Sequence, residues 1–426
     1  MKAALQALAT APVRAAAGIC ALLLAQAAHG QEDPLDRLDD QLTFSGWNDS
    51  VRARVSGTLD IEEYYLRLPQ TGIIYPEGGG LFNPRLSLYL DAQLGPRIYA
   101  FAQARADNGF DPGVEGSKDR LDEYLLRFTP WDDGRLNFQL GKFATVVGNW
   151  TTRHGSWDNP FITAPLPYEN LTGVWDTDAA PSVDALLFWG GVNPRPNHGG
   201  EFLDEYRNLP VIWGPSYASG AALFGQVGTF DYAFEVKNTS LSGRPATWAP
   251  TQTQWEHPTF SGRLGFVPDE TWNFGLSASA GTYLEPGAAP TLAPGRGFNQ
   301  YLEIVLGQDV AYAWHHVQVW AETYEARFEI PAVGNADTLA YYVEAKYKFT
   351  PQFFGALRWN QQLFSSMVDG AGRSVRWGRD VERVDLGPVY RLTAHIQVKV
   401  QYSLEHENAD SMEWGQMVAA QFTARF

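Results

Sequence analysis

The last fifteen residues, Met412 to Phe426, restrict the fold more than any other stretch. Taken every second residue, Phe426, Ala424, Phe422, Ala420, Val418 and Trp414 form one face, with Gln416 as its only polar member. Arg425, Thr423, Gln421 and Ala419 form the other. A period of two is a strand signature, because successive side chains leave opposite faces. An aromatic at each end of an apolar stripe suits a strand whose outer face crosses lipid, since aromatic rings settle at both interfaces. The sequence ends on Phe426 itself.

The start of the chain reads as address, not fold. Lys2 and Arg14 give a basic beginning, Ile19 to Ala28 is a short apolar run, and Ala28-His29-Gly30 puts small residues before Gln31. Residues 1–30 are therefore expected to be a secretory signal peptide, too short to span a membrane as a helix. The only cysteine, Cys20, lies in that leader, so the exported chain is expected to have neither disulfides nor thiolate metal sites. The net charge is −16, and removing Lys2 and Arg14 with the leader leaves about −18. So acidic a chain argues against a nucleic-acid partner, which would want a basic surface. Residues 31–50 form a short acidic lead-in.

From residue 51 onward one rhythm repeats: a strand-like run, a short turn, another run, a longer polar link. Val51, Ala53, Val55, Gly57, Leu59 and Ile61 alternate with Arg52, Arg54, Ser56, Thr58, Asp60 and Glu62. Runs follow at 85–94, 98–105, 120–129, 134–144, 216–225, 228–238, 257–267, 271–284, 299–309, 314–328, 337–349, 353–365, 381–391, 394–406 and 413–426. That makes sixteen strands when 183–190 is left in a loop, with eighteen as the rival count. An even count returns both chain ends to one side. A closed ring of sixteen strands leaves a lumen too wide for side chains to fill, so polar residues should face in and apolar residues out. The reading is an all-β, transmembrane antiparallel barrel over 51–426.

An amphipathic final strand with a terminal Phe resembles the last strand of bacterial outer-membrane β-barrels. There it is read by the assembly machinery, which the resemblance makes a partner here through Phe426. A second likeness lies in residues 146–215, which have no place in the strand rhythm and follow the fifth strand. In sixteen-stranded porins a long loop at this point folds into the barrel and narrows it. The chain is similar to those porins in architecture, and no motif picks out a subfamily. The resemblance implies an outer-membrane porin of a Gram-negative bacterium, without cofactor or metal. It implies passive diffusion of small hydrophilic solutes and a homotrimer in the lipid; the acidic charge is compatible with a pore favouring cations or neutral solutes, and aromatics beside charges on the long loop suit carbohydrates.

Constriction candidates on the long loop are Trp150, Arg153, His154, Trp157, Asp158, Glu169, Trp175 and Asp176, where aromatics stand beside charges. Inward positions on the wall nominate Arg52, Arg54, Asp60, Arg85, Asp91, Glu344, Lys346, Arg358, Lys399 and Glu405. Three other functions fit parts of the sequence. The loop could plug the barrel and leave a scaffold that binds partners. His154-Gly155-Ser156 has the His-x-Ser spacing of outer-membrane phospholipases, although Trp157-Asp158 replaces the Asn-Gly that follows there. A secreted soluble β-protein would bury its apolar stripes instead. The lone His198 and the pair His315-His316 lack zinc-site spacing, and Asp107 to Asp111 reads as an oxygen-rich turn.

Overall fold

The computed structural model describes residues 34–48, 50–67, 80–107, 118–190, 207–244, 254–408 and 414–426. The leader, His198 and residues 108–111 of the oxygen-rich turn lie outside these. Sixteen strands form the barrel: β1 (Val51–Leu66), β2 (Gly80–Leu94), β3 (Ile98–Asp107), β4 (Lys118–Phe128), β5 (Asn137–Phe143), β6 (Ala218–Val227), β7 (Phe230–Lys237) and β8 (Thr259–Phe266). They continue with β9 (Trp272–Thr282), β10 (Leu302–Trp314), β11 (Val317–Ile330), β12 (Gly334–Lys348), β13 (Phe353–Phe364), β14 (Val381–Arg391), β15 (Ile396–Glu407) and β16 (Gly415–Arg425). Each pairs antiparallel with its neighbour in sequence, and β16 pairs with β1 from Met417↔Leu66 to Arg425↔Thr58, closing the ring.

The sense of the alternation is that of a barrel in lipid. On the outward face Leu276 is 63% exposed and Leu264 58%, whereas the inward Arg358, Asn360, Gln362 and Gln401 are at 0%. A soluble protein reverses this, so the soluble reading is overturned. Exposed aromatics gather at the short-turn ends of the strands, among them Phe128, Phe230, Trp272, Trp314, Tyr347 and Phe353. Tyr65, Phe82, Phe260 and Trp414 do the same at the long-link ends. Two such girdles are what membrane interfaces select.

The seam between first and last strands has its own construction. β16 stops at the level of Thr58, so the first residues of β1 would have an open edge, which invites wrong pairing. The lead-in covers it. Helix α1 (Pro34–Gln41) is followed by the short strand Thr43–Gly46, which pairs with β1 from Thr43↔Arg54 to Gly46↔Val51. Arg54 holds Asp39 at 2.8 and 2.9 Å, and His395 meets Asp36 at 2.8 Å. Between the two partners, Gly57 exchanges both backbone hydrogen bonds with Phe426 at 3.0 Å. A Cβ on Gly57 would lie 2.6 Å from the Phe426 ring, so only glycine lets that ring cover the seam.

Several boundaries differ from the sequence reading. β1 runs on to Leu66 because Tyr64 and Leu66 turn inward against Met417 and Ala419. β5 ends at Phe143, and the long link spans 144–217. Residues 183–190 stay out of the barrel, as the sixteen-strand count has them, but within the link Val183–Trp189 forms helix α2, capped by Ser182, whose side chain accepts from the Ala185 N–H. The link between β11 and β12 is expected to be long but is only 331–333, because pairing persists to Ile330↔Gly334. Ala332 takes φ 62° in that tight turn.

Candidate functional site

The long link divides into two parts with different partners. Residues 144–170 descend into the barrel and dock on the inner wall of one side. The entry is at Gly148, where φ is +75° and a Cβ would lie 1.9 Å from the Tyr324 hydroxyl. The Gly148 N–H donates to Ser277 Oγ at 3.2 Å. Glu322 on β11 is the chief anchor. Its Oε1 accepts from the N–H groups of Asn149 and Trp150, the latter at 2.7 Å, and its Oε2 from the Tyr168 hydroxyl at 2.6 Å. Arg153 donates to Glu344 Oε1 at 2.6 Å and to the Tyr342 hydroxyl at 3.0 Å.

Further along, the wall holds the link mainly by its backbone. Lys399 donates to the Asn159 carbonyl at 2.6 Å. Gln401 Oε1 accepts from the Ile162 and Thr163 N–H groups at 2.7 and 3.1 Å. Arg358 reaches the Thr163 carbonyl at 3.2 Å. Arg383 holds Glu169 at 2.5 Å and the Ala164 carbonyl at 2.6 Å. Charged and amide groups of β11–β15 thus satisfy a strand-free backbone, which is the condition for an irregular segment at membrane depth.

The described residues 171–190 and 207–213 do something else. Val174, Leu186, Leu187, Leu209 and Trp213 pack with Tyr283, Tyr301, Phe328, Phe364 and Trp377, at the long-link ends of β9–β14. The link is therefore an inward loop in its first part and a cap in its second.

A cavity of about 550 Å³ lies between the docked link and β1–β4. Its wall carries Asp60, Glu62, Arg85, Arg105, Asp107, Arg120 and Glu123; its link side carries Trp150, His154, Asp158 and Glu169. The three arginines lie on adjacent strands and are held by carboxylates. Arg85 meets Asp60 at 3.1 Å and Glu62 at 2.7 Å; Arg105 meets Asp122 at 3.0 Å; Arg120 meets Asp107 at 2.5 Å and Asp122 at 2.7 Å. Opposite them Asp158 is exposed and makes no ion pair within 4 Å among the described residues.

The sequence candidates thus separate by position. Trp150, His154, Asp158 and Glu169 line the cavity. Arg153 and Trp157 are turned to the wall instead, Arg153 over Trp320 at 4.3 Å and Trp157 between Arg391 and Arg425. Trp175 and Asp176 belong to the cap, Trp175 stacked on Trp189 at 3.9 Å and Asp176 paired with Arg244, so they are corrected out of any constriction. Of the wall candidates, Asp60 and Arg85 line the cavity. Glu344, Arg358, Lys399 and Glu405 are covered by the link. Arg52, Arg54, Asp91 and Lys346 point inward toward the short-turn end, where Asp91 accepts from Tyr99. Arg105 and Arg120 are missing from the sequence candidates, although both fall on inward positions and stand opposite each other in register.

His154 lies on the cavity rim with both ring nitrogens occupied, Nδ1 at 2.6 Å from the Thr151 carbonyl and Nε2 at 2.7 Å from the Tyr217 hydroxyl. Neither nitrogen is left to activate Ser156. Burial pushes the imidazole down to about 4. The folded state therefore binds fewer protons than the unfolded chain between about pH 4 and 6.5, and this part of its stability grows as pH rises through that window. The effect is on the order of 3 kcal/mol, present above pH 6.5 and lost as pH falls toward 4. An NMR titration should show His154 neutral at pH 6; a midpoint near 6.5 would contradict the packing. Among the described residues no group of three or more His, Cys, Asp or Glu could hold a metal.

No protein-family model matches the chain, and no curated protein matches it. Solved structures do. The anion-selective porin from Comamonas acidovorans superposes with a TM-score of 0.54 at 11% identity, covering 88% of this chain and 100% of that one. OmpF of Salmonella typhi, solved with daunomycin, gives 0.55 at 10% identity over 90% of this chain and 100% of that one. The trimer form of OmpT, an outer-membrane protein of Vibrio cholerae, gives 0.51 at 10% identity over 89% and 100%. The chain has the fold of these outer-membrane barrels.

Proposed function

We propose that this protein is an outer-membrane porin through which small hydrophilic solutes diffuse passively, with no catalytic step. The observation that carries the reading is the cavity of about 550 Å³ left between the docked link and the β1–β4 wall. A passage needs weak binding on both sides, and a surface of already paired charges offers that. Carboxylates exceed guanidiniums along it. Asp60, Glu62, Asp107, Glu123, Asp158 and Glu169 face Arg85, Arg105 and Arg120. Even with Glu169 offset by Arg383, the excess is negative, so we propose that the passage favours cations. The solved trimer of the V. cholerae barrel supports a homotrimer here, and the amphipathic strand β16, with Val418, Ala420 and Phe422 on its outward face, supports recognition by barrel-assembly machinery.

The test is single-channel recording of refolded protein in a planar bilayer under a KCl gradient. Open channels with a cation-directed reversal potential are expected, and Asp158→Asn should move that potential toward zero. Protein that runs as a heat-modifiable barrel yet conducts nothing would replace the porin with a plugged scaffold. Conductance with an anion-directed potential would leave the pore and remove the cation preference.

A further inference from the structure

Below the docked link, at the short-turn end of the lumen, lies a cluster of cations that the passage does not use. Arg391 ends β14, Arg425 ends β16 and Lys346 lies near the end of β12; all three occupy inward positions and are half-buried. Two aromatic rings support them. The Arg425 guanidinium lies 3.8 Å from the centroid of the Trp157 ring and that of Arg391 4.9 Å from the same ring. Arg391 also lies 5.4 Å from the Phe354 centroid, and the Lys346 ammonium 4.4 Å from it.

Elsewhere in the lumen Arg85, Arg105, Arg120, Arg153, Arg358 and Arg383 are matched with carboxylates, whereas Arg127 lies over two rings and donates to the Gln139 amide oxygen. These three cations have no ion pair within 4 Å among the described residues. Arg391 donates one hydrogen bond to Gln397 Oε1 at 3.0 Å and Arg425 one to the Ala394 carbonyl at 3.1 Å. Both use Nε, so the outer edge of each guanidinium remains available. Asp158 is the carboxylate on the link above them, and it is exposed and unpaired. The neighbouring Lys399 is taken by the Asn159 carbonyl.

Two guanidiniums sharing one indole repel each other, and the ring faces offset that only in part. A planar fork that has lost Nε to a neutral acceptor still presents its Nη groups, the arrangement that grips oxyanions. We propose that Arg391, Arg425 and Lys346, mounted on Trp157 and Phe354, form a binding site for a small oxyanion at the short-turn mouth of the lumen. An occupant with two or three oxygens would bridge both guanidiniums and meet the Lys346 ammonium from the third side. The site adjoins the acidic passage at Asp158, whose charge acts on all three cations, and it requires the docked link, which supplies Trp157, and not an open channel.

The probe is inorganic phosphate, and the measurement is its binding to the detergent-purified full chain by isothermal titration at low ionic strength. This readout is independent of conductance, so a silent barrel and an absent site are told apart. Saturable binding is expected in the unsubstituted protein. It should weaken at least tenfold in Arg391→Gln/Arg425→Gln, clearly but less in Lys346→Gln, and stay unchanged in Arg127→Gln, whose guanidinium lies over Tyr99 and Phe224 across the lumen. The single Lys346→Gln substitution covers the case in which the double variant fails to refold, since Lys346 makes no hydrogen bond that holds the link. Absence of saturable binding in the unsubstituted protein, or equal binding in Lys346→Gln, would overturn the site.

Discussion

Replacing Glu322 with alanine is expected to release the first part of the long link from the barrel wall and give a larger, noisier channel. The carboxylate accepts from two backbone N–H groups at the point of entry and from the Tyr168 hydroxyl at the far end of the docked segment. It therefore fastens the segment twice. Hydrogen bonds to a charged group contribute about 1.5–3 kcal/mol each, so losing three weakens docking by on the order of 4 kcal/mol after water replaces some of them. The N–H groups of Asn149 and Trp150 would be left in a buried place, which adds to the pressure to open. Glu322→Gln keeps one acceptor for those N–H groups and should have the smaller effect. Single-channel recording of both variants decides the matter. Identical conductance in Glu322→Ala would mean that the link does not bound the passage.

The prominence of Glu322 also marks the limit of what the sequence conveys. The barrel is legible because period two is imposed strand by strand, and it needs no knowledge of distant residues. In β15 the inward Gln397, Lys399, Gln401, Ser403 and Glu405 and the outward Val398, Val400, Tyr402 and Leu404 can be sorted by position alone. The existence of the long link is legible in the same way, as a break in that rhythm. Its conformation is not. Most of its anchors, Glu322, Glu344, Arg358, Arg383, Lys399 and Gln401 among them, are single polar residues on strands more than a hundred positions away, and inward alternation does not distinguish Arg358, which the link covers, from Arg85, which it leaves open. Trp175-Asp176 resembles Trp157-Asp158 in composition, yet the first pair is held in the cap by the Trp189 ring of α2 and by Arg244. The arginines of the passage had a usable signal. Arg105 and Arg120 lie cross-strand neighbours with Asp107 and Asp122 beside them, and pairing the strands before choosing candidates would have found them.

Arg358→Met should be the most destabilising single substitution in the lumen. Arg358 is at 0% exposure, with Nε 2.8 Å from Asp385, Nη1 3.6 Å from Glu344 and its plane 4.4 Å from the Phe161 ring. The methionine can replace the ring contact but not the charge. Asp385 would keep Ser403 at 2.5 Å, Asn360 at 2.9 Å and Arg383 at 3.3 Å, so it would not be stranded, but Glu344 would depend on Arg153 alone. Breaking a buried pair by removing one partner costs about 3–5 kcal/mol, whereas removing both members of a buried pair is often close to neutral. Arg358→Met/Asp385→Leu is the corresponding control. Here it should recover only part of the loss, because Asp385 also orients Ser403 and Asn360. The comparison belongs to urea midpoints in one detergent at one protein concentration. A midpoint for Arg358→Met equal to that of the unsubstituted protein would mean that water reaches the guanidinium site and screens it. The inner wall of β13 and β14 would then be open lumen and not a docking surface, and the passage would have to be redrawn on that side of the link.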